Sequence, residues 1–350
     1  MELDGLRDEI RRKDMEIVRL ISERTRIAEE IGRIKVSEGL PIRNRDVEKK
    51  VIARYVEFGS DKGLDPEVMK DIASAIIRQA VDAESRIVED RGGKTISVIG
   101  GAGKMGCWIA TMLNESGNRM RIIDPRVNNG LTLKDCKGSD MVIISAPIHT
   151  VGGILNELKG ICDEDTLIFD LSSLKTPFID TLKDMAKTMK VCSVHPMFGP
   201  SARSMYDRNL IICDCGNAQA VKETESLFSD RGGNIRIMPV EEHDNYMSYV
   251  LGLTHAVNIA LFTVLERSGL SFEDLMSVAS TTFLKGLDTN RSVAMEDPML
   301  YYEIQHMNGS RDRMWSLFSE AVEDIKAASM DDDPASFREI MDSGRRYFES

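Results

Sequence analysis

The stretch Thr95–Gly106, "TISVIGGAGKMG", decides how the rest of the chain is read. A β-prone run leads into Gly101, Gly103 and Gly106 at G-x-G-x-x-G spacing, and a helical pattern follows at once. Glycines there allow a tight strand-to-helix turn, let backbone approach a pyrophosphate and close the helix onto the sheet. The helix N-terminus, around Lys104 and Met105, then offers N–H donors to the phosphates. The next β-rich run ends "RIID", which sets Asp124 eighteen residues past Gly106. An acid at that place accepts from an adenosine ribose hydroxyl and repels a 2′-phosphate, so NAD is expected rather than NADP. Arg126 is the residue that could pair with a 2′-phosphate instead. A turn that merely packs helix on strand is the bland reading, and the strand, helix and acid in register argue against it.

Working outward, the runs "RMRIID", "DMVIISAP", "TLIFDLSS", "KVCSVHP", "NLIICDC" and "NIRIMPV" alternate with helical stretches. Strands alternating with helices predict a Rossmann-like, doubly wound parallel-sheet domain over residues 94–240. Before it, residues 1–90 read as an all-α, three-helix domain. Apolar residues from Leu3 to Ile34 recur at helical spacing in one long helix to about Lys35, whose length suggests a bundle or a dimer. Asn44 caps a second helix to about Phe58, and Asp65 with Pro66 starts a third that reaches about Val88. "EDRGGK" then makes a short polar linker. From Glu241 strand patterns stop, and residues 241–350 form an all-helical C-terminal domain. The chain is thus multi-domain, α and α/β.

At 350 residues and 42% hydrophobic, the chain can bury a full-sized core. A net charge of -12 argues against nucleic acid and anionic membranes as partners, because counterion release needs a basic surface. The charged opening "MELDGLRDEIRRKD" has no apolar signal core, and no run of about 18 apolar residues is evident. A cytoplasmic protein is expected. The six cysteines lack paired C-x-x-C spacing, so reduced thiols, no disulfide and no metal are expected. Cys192 reads as a core residue of its strand.

His195, in "HPMFGP", stands at the C-terminal end of a late strand, the edge of an open α/β sheet where ligands collect. Ser173 and Lys175, in "LSSLK", follow an earlier strand and should open onto the same crevice. An imidazole bonded to a substrate hydroxyl can take its proton as hydride leaves the carbon, and a neighbouring serine can fix its orientation.

In this order, "GGAGKMG", "APIH", "SSLK", "HPMFGP", "EEHD" and "LTHAVNIAL" resemble prephenate dehydrogenase, and the N-terminal "LRDEIRRKD…ISERTRIAEEIGRIK…GLPIRN" resembles the all-helical class of chorismate mutase. In tandem they resemble the bifunctional chorismate mutase/prephenate dehydrogenase of tyrosine biosynthesis, over essentially the whole chain. The resemblance implies a reaction pair: chorismate to prephenate, then oxidative decarboxylation of prephenate to 4-hydroxyphenylpyruvate with NAD as hydride acceptor. It implies His195 and Ser173 as catalytic, and the glycine turn with Lys104, Met105, Asp124 and Pro147 as the cofactor site. It further implies His255, Arg291 and Lys175 as substrate-binding, and the C-terminal helices as a substrate and dimerisation domain of a homodimer. Arg291 needs a one-residue gap before "EDP" to match.

The mutase reaction makes physical sense on these helices. Chorismate carries two carboxylates and rearranges pericyclically, so it needs cations that clamp a compact conformer and donors at the breaking ether oxygen. Arg24 falls on the apolar stripe, and Lys35 lies eleven residues on, nearly on the same face. Burying them unpaired is costly, which makes a dianion a natural partner. Arg7 lies roughly 25 Å before Arg24 along the helix and could serve a second chain's site. By resemblance Glu48 binds the substrate hydroxyl and Glu84 the ether oxygen, where a donating Glu84 must be protonated and mutase activity would fall as pH rises. Val47, Asn44 and Ala80 depart from the family's arginine, aspartate and serine, with Arg43 or Arg45 as possible compensation. The bland reading gives Arg24 and Lys35 solvated i,i+4 partners such as Glu23, Glu30 and Glu38. The rival functions are an arogenate or other hydroxyacid dehydrogenase whose N-terminal helices serve only dimerisation, and a non-catalytic sensor.

Overall fold

The computed structural model describes residues 3–86, 93–202 and 204–349. Of the expected linker, Glu89 to Gly92 lie outside the described residues, as does the expected end of the third helix near Val88. The chain forms two compact units, the first holding the N-terminal helices and the sheet, the second holding 147–149, 173–179 and 241–350.

In the first unit α1 (Leu3–Glu38) is one unbroken helix, but its apolar stripe is not covered. The stripe residues from Leu3 to Ile34 are exposed, while Ala28 and Gly32 are buried. Gly32 faces α3 (Pro66–Arg86), where a Cβ would stand 3.2 Å from the Cα of Glu84, so its bare backbone sets the approach of the two helices. α2 (Arg45–Ser60) starts where Asn44 accepts from the Asp46 and Val47 N–H groups, both at 3.1 Å. Asp65 caps α3 by accepting from Glu67 N at 2.8 Å. Ile42, Ile77 and Val81 form the bundle's small core, and Tyr206 from the sheet region packs against it.

Each β-rich run of the sequence forms a strand. β1 (Thr95–Ile99), β2 (Arg119–Ile123), β3 (Met141–Ile144) and β4 (Leu167–Asp170) pair in parallel in the order β2-β1-β3-β4. β5 (Ser193–Pro196), β6 (Asn209–Asp214) and β7 (Asn234–Pro239) form a second sheet, joined to β4 by a parallel bridge between Ile168 and Val191. One departure from the expected all-parallel order is clear: β5 and β6 run antiparallel. The described residues of the connection between β5 and β6 carry no helix, and a parallel return needs a crossover. α7 (Ala218–Phe228) supplies such a crossover between β6 and β7, which are parallel. α4 (Lys104–Asn114) packs Ile109, Ala110 and Leu113 into the sheet's core with Val98, Ile143 and Phe169.

All six cysteines are free thiols. Cys192 is buried beside Thr224, as its strand position predicts. Burial pushes the Cys136 thiol up to about 11 and the Cys162 thiol up to about 12, which keeps both protonated.

In the second unit α8 (Val240–Met247), a π-helical turn (Ser248–Leu253) and α9 (Thr254–Arg267) run on as one rod. α10 (Phe272–Ser277), α11 (Thr281–Ala294), α12 (Pro298–Met307), α13 (Arg311–Met330) and α14 (Ala335–Glu349) follow. At the π turn Gln305 donates to the Gly252 carbonyl at 2.7 Å. One helical stretch, Val240–Arg267, is long and apolar enough by length and average composition to cross a membrane, although it holds no unbroken apolar run of that length. Single polar residues such as His255 and Asn258 interrupt the run and lower its average, which stays apolar all the same. Val250, Val257, Leu261 and Val264 form an exposed apolar stripe along this rod.

The glycine turn shows which glycines matter. The left-handed residue is Gly100 at φ 74, not Gly101, and a Cβ on Gly100 would meet the Ser145 carbonyl at 2.2 Å. A Cβ on Gly106 would stand 2.3 Å from the Gly100 carbonyl, which is backbone and cannot yield. Gly106→Ala should therefore lower the thermal midpoint and abolish NAD binding by calorimetry. Gly153→Ala, in α5 (Ile148–Leu158) with nothing within 4 Å, should raise stability by about 1 kcal/mol in denaturant titration.

Candidate active sites

Around the glycine turn, Gly103 N donates to the Gly100 carbonyl at 2.9 Å, which brings Gly101 and Gly103 over the start of α4. Lys104 is exposed there, Met105 is half-buried, and Gly106 is buried. Asp124 is buried just past the end of β2 and accepts from Ala102 N at 3.1 Å, tying the turn to the neighbouring strand. Arg126 pairs with the same carboxylate in a two-pronged contact, Nε at 2.9 Å and Nη2 at 2.7 Å. The hydrogen bond from Arg126 chiefly holds the Asp124 carboxyl well below its usual range, at about 2. The cradle fits a dinucleotide: a side chain at Gly106 is excluded by backbone, and the acid beside it is ionised at any working pH.

Because β1, β3 and β4 are parallel and β5 continues them in the same sense, Gly100, Ser145, Leu171 and Met197 leave the sheet at one edge. His195, 4% exposed, lies at that edge on β5, paired across to Ile211. Its strand is locked to β4 by the fully buried pair Ser193 and Asp170, in which Ser193 Oγ donates to the carboxylate. Asp170 also accepts from Ser172 N at 2.8 Å. Sequence reasoning passed over Asp170 and Ser193. The only signal was an acid ending an otherwise apolar strand.

On the helices, Lys35 donates from Nζ to Glu84 Oε2 and to the Ile42 carbonyl, both at 2.6 Å. Arg24 Nη1 donates to the Ile76 carbonyl at 3.4 Å. Both cations thus turn to α3 and the α1–α2 loop. Their partners are neither the i,i+4 acids of the bland reading nor absent. Glu84, 7% exposed, accepts here, whereas the sequence expectation had it donating. Glu48 is also engaged: Arg43 holds it through Nε at 3.0 Å and Nη2 at 3.1 Å, and Tyr206 Oη donates to it at 3.3 Å. Arg43 and Arg45, the candidates to offset the change at Val47, both donate to Asn234 Oδ1. Arg7 is exposed and, among the described residues, pairs locally with Asp4 at 3.1 Å.

In the second unit, Lys175 is fully buried and Ser173 half-buried on a loop that Asp244 gathers. The Asp244 carboxylate accepts from Lys175 N at 2.9 Å, from Thr176 N at 2.7 Å and from the Thr176 hydroxyl, and His243 Nδ1 lies 2.7 Å away. Burial pushes this carboxyl's pKa up, but the bonds from His243 and Thr176 outweigh it and hold the group below its ordinary value. The quoted "EEHD" contained this residue without revealing its role. Exposed Pro147 precedes Ile148 N, which donates to Glu303 at 3.1 Å, and His149 contacts the same carboxylate. His255 is buried against Tyr301, ring centroids 4.0 Å apart, and its Nδ1 finds no partner among the described residues. Burial pushes its pKa down to about 4. Arg291 lies elsewhere on this unit, at a cavity of about 700 Å³ lined by Phe262, Leu265, Phe272 and Leu284.

Comparison with known proteins gives three family matches in chain order. Residues 6–85 match chorismate mutase type II, residues 105–237 the nucleotide-binding domain of prephenate dehydrogenase, and residues 239–343 the dimerization domain of prephenate dehydrogenase. The chain is 26% identical over 336 residues to the T-protein of Enterobacter agglomerans, covering 92% of this chain and 87% of that one. It is 36% identical over 77 residues to the intracellular chorismate mutase of Mycobacterium tuberculosis, covering 22% of this chain and 67% of that one. The crystal structure of prephenate dehydrogenase from A. aeolicus in complex with hydroxyphenyl propionate and NAD+ shares the fold at TM-score 0.56 and 22% identity, over 73% of this chain and 95% of that one.

Two measurements check the second unit. Asp244→Ala strands the N–H groups of Lys175 and Thr176, each worth about 1–3 kcal/mol when buried, so denaturant titration should show a loss of at least that size. His255 has a folded pKa near 4, below the model-peptide value of 6.5, so the unfolded chain binds the extra proton between them. Stability should be fully present above about pH 6.5 and decline as pH falls toward 4. His255→Gln should flatten that part of the pH–stability curve.

Proposed function

The chain belongs to the bifunctional chorismate mutase/prephenate dehydrogenases, and from that premise we propose how its residues divide the two reactions. It rearranges chorismate to prephenate and oxidatively decarboxylates prephenate to 4-hydroxyphenylpyruvate, two steps of tyrosine biosynthesis. The observation that carries this is the tandem order of the three matched segments along almost the whole chain. We assign residues 1–90 to the mutase, 94–240 to the nucleotide-binding domain and 241–350 to the substrate and dimerisation domain.

In the mutase reaction no covalent intermediate forms, so the enzyme acts by binding a folded conformer and stabilising charge at the ether oxygen. Lys35 supplies the hydrogen bond to that oxygen, and Glu84, which accepts from Lys35, holds its ammonium in place. Arg24 takes a carboxylate, and Glu48 takes the ring hydroxyl once Arg43 shares it. Arg7 reaches the site of a second copy. The uncovered stripes on α1 and α9 support a homodimer, because apolar surface of this extent is normally buried in an interface.

In the dehydrogenase reaction NAD, when bound, accepts the hydride that leaves the substrate ring. Gly101, Gly103, Gly106, Lys104 and Met105 would hold its phosphates and Asp124 its ribose, and the family resemblance adds Pro147 to the cofactor residues. His195 takes the proton of the ring 4-hydroxyl as the carbonyl forms, and Ser173 orients that hydroxyl. Loss of carbon dioxide then restores aromaticity. Lys175 and His255 are assigned to the substrate's carboxylates and ring; Arg291 is assigned to a carboxylate by family resemblance alone, since it lines a cavity that contains neither of them. The enzyme is read as cytoplasmic, with small molecules and a second copy as its partners and neither nucleic acid nor membrane, in keeping with its net charge of -12.

Incubation of the purified chain with chorismate should consume it without NAD and yield NADH only when NAD is added. An absence of chorismate loss would refute the mutase assignment, and an absence of NADH from supplied prephenate would refute the dehydrogenase assignment. Asp124→Ser frees Arg126 and removes the charge that repels a 2′-phosphate. Its kcat/KM should fall about tenfold with NAD and rise with NADP.

A further inference from the structure

Arg43 sits in the loop between α1 and α2, and each of its guanidinium donors has an acceptor. Nε and one Nη2 hydrogen go to the two carboxylate oxygens of Glu48, at 3.0 and 3.1 Å. Nη2 also reaches Asp207 Oδ1 at 3.1 Å, and Nη1 reaches the Gly232 carbonyl at 3.1 Å and Asn234 Oδ1 at 2.9 Å. An arginine has five N–H groups, and this one uses all five across three chain segments. The guanidinium lies over the Tyr206 ring, 4.7 Å from its centroid, and Tyr206 in turn donates to Glu48. The arginine and Glu48 side chains are only 13% and 12% exposed.

The segments so joined lead directly to the two reacting centres. Ile42, the residue before Arg43, offers its carbonyl to Lys35 Nζ at 2.6 Å. On the other side, Tyr206 and Asp207 close the connection that leaves His195's strand at Met197 and returns as β6. Asp207 is the only non-glycine residue with positive φ among the described residues, at 56, and its N–H donates to the same Gly232 carbonyl at 3.2 Å. Gly232 presses on α3, where a Cβ would stand 2.8 Å from Val81 Cγ1.

We propose that Arg43 is a positioning residue shared by both reactions: through Ile42 it sets Lys35 in the mutase site, and through Tyr206 and Asp207 it sets the connection that follows His195. The dehydrogenase domain is therefore part of the mutase's scaffold. This rests on the assignment of Lys35 and His195 given above. A lysine at position 43 keeps the charge but has three donors on one nitrogen, so it cannot span the same acceptors.

The test uses the full chain with Arg43→Lys and Asp207→Asn, following chorismate loss and NADH formation from prephenate, with thermal midpoints taken alongside. Asp207 is 65% exposed in its side chain, so its amide should fold if Arg43→Lys does not. Each variant should lower kcat of both reactions, about tenfold for Arg43→Lys, which should also raise KM for chorismate because Glu48 loses its partner, whereas Asp207→Asn leaves that pair intact and should lower kcat with KM little changed. Mutase and dehydrogenase parameters within twofold of wild type in Asp207→Asn, or a loss confined to one activity, would overturn the shared role. Inactivity of the wild-type chain toward chorismate or prephenate would instead overturn the underlying assignment.

Discussion

The structure depends on a contact made without side chains. Gly106 in the first turn of α4 lies so close to the Gly100 carbonyl that a single Cβ would close the gap to 2.3 Å. That approach seats α4 on the sheet, aims its N-terminal N–H groups over the edge and leaves Asp124 within reach of Ala102 N. The strands beside β1 run parallel to it, and His195 reaches the same edge on β5. The glycine cradle and His195 thus share one sheet edge, and the burial of Ile96, Val98 and Phe169 holds that edge in place.

Buried acids organise the segments that leave or flank that edge. Asp124 accepts from Ala102 N, Asp170 from Ser172 N and Ser193 Oγ, Asp244 from Lys175 N and Thr176 N, and Glu303 from Ile148 N. Each takes N–H groups that no strand or helix partner can satisfy and fixes a loop that carries a candidate site residue. The physical logic is that an unpaired buried N–H is costly, and a carboxylate with two oxygens can satisfy several at once. Acids that count toward solubility in the composition therefore serve, in part, as internal braces.

The helical bundle uses its charges differently. Lys35 and Arg24 do not wait unpaired for a ligand: they rest on Glu84 and on backbone carbonyls, which offsets the cost of partial burial. A dianionic substrate would compete with weak carbonyl contacts and with one ion pair. Gly32 makes that arrangement possible by letting α1 approach Glu84 closely. The long apolar stripe of α1 plays no part in this packing and stays exposed.

The sequence alone determined the element types, the order of the domains, the caps at Asn44 and Asp65, the glycine turn with its acid, and the residues at the sheet edge. These follow from local rules: periodicity, φ freedom, capping chemistry and spacing within a few turns of chain. Only the tertiary structure decided which partner each charge takes. Asp244 with Lys175 and Thr176, Glu84 with Lys35, and Arg43 with Glu48, Asp207 and Asn234 join residues far apart in the chain, and no local pattern encodes such pairs. The antiparallel turn of β6 was likewise invisible, since a β-rich run carries no mark of direction and only the missing crossover sets it. Likewise, periodicity found the stripe on α1 but could not say whether it faces this chain's core, because that depends on what α3 leaves uncovered.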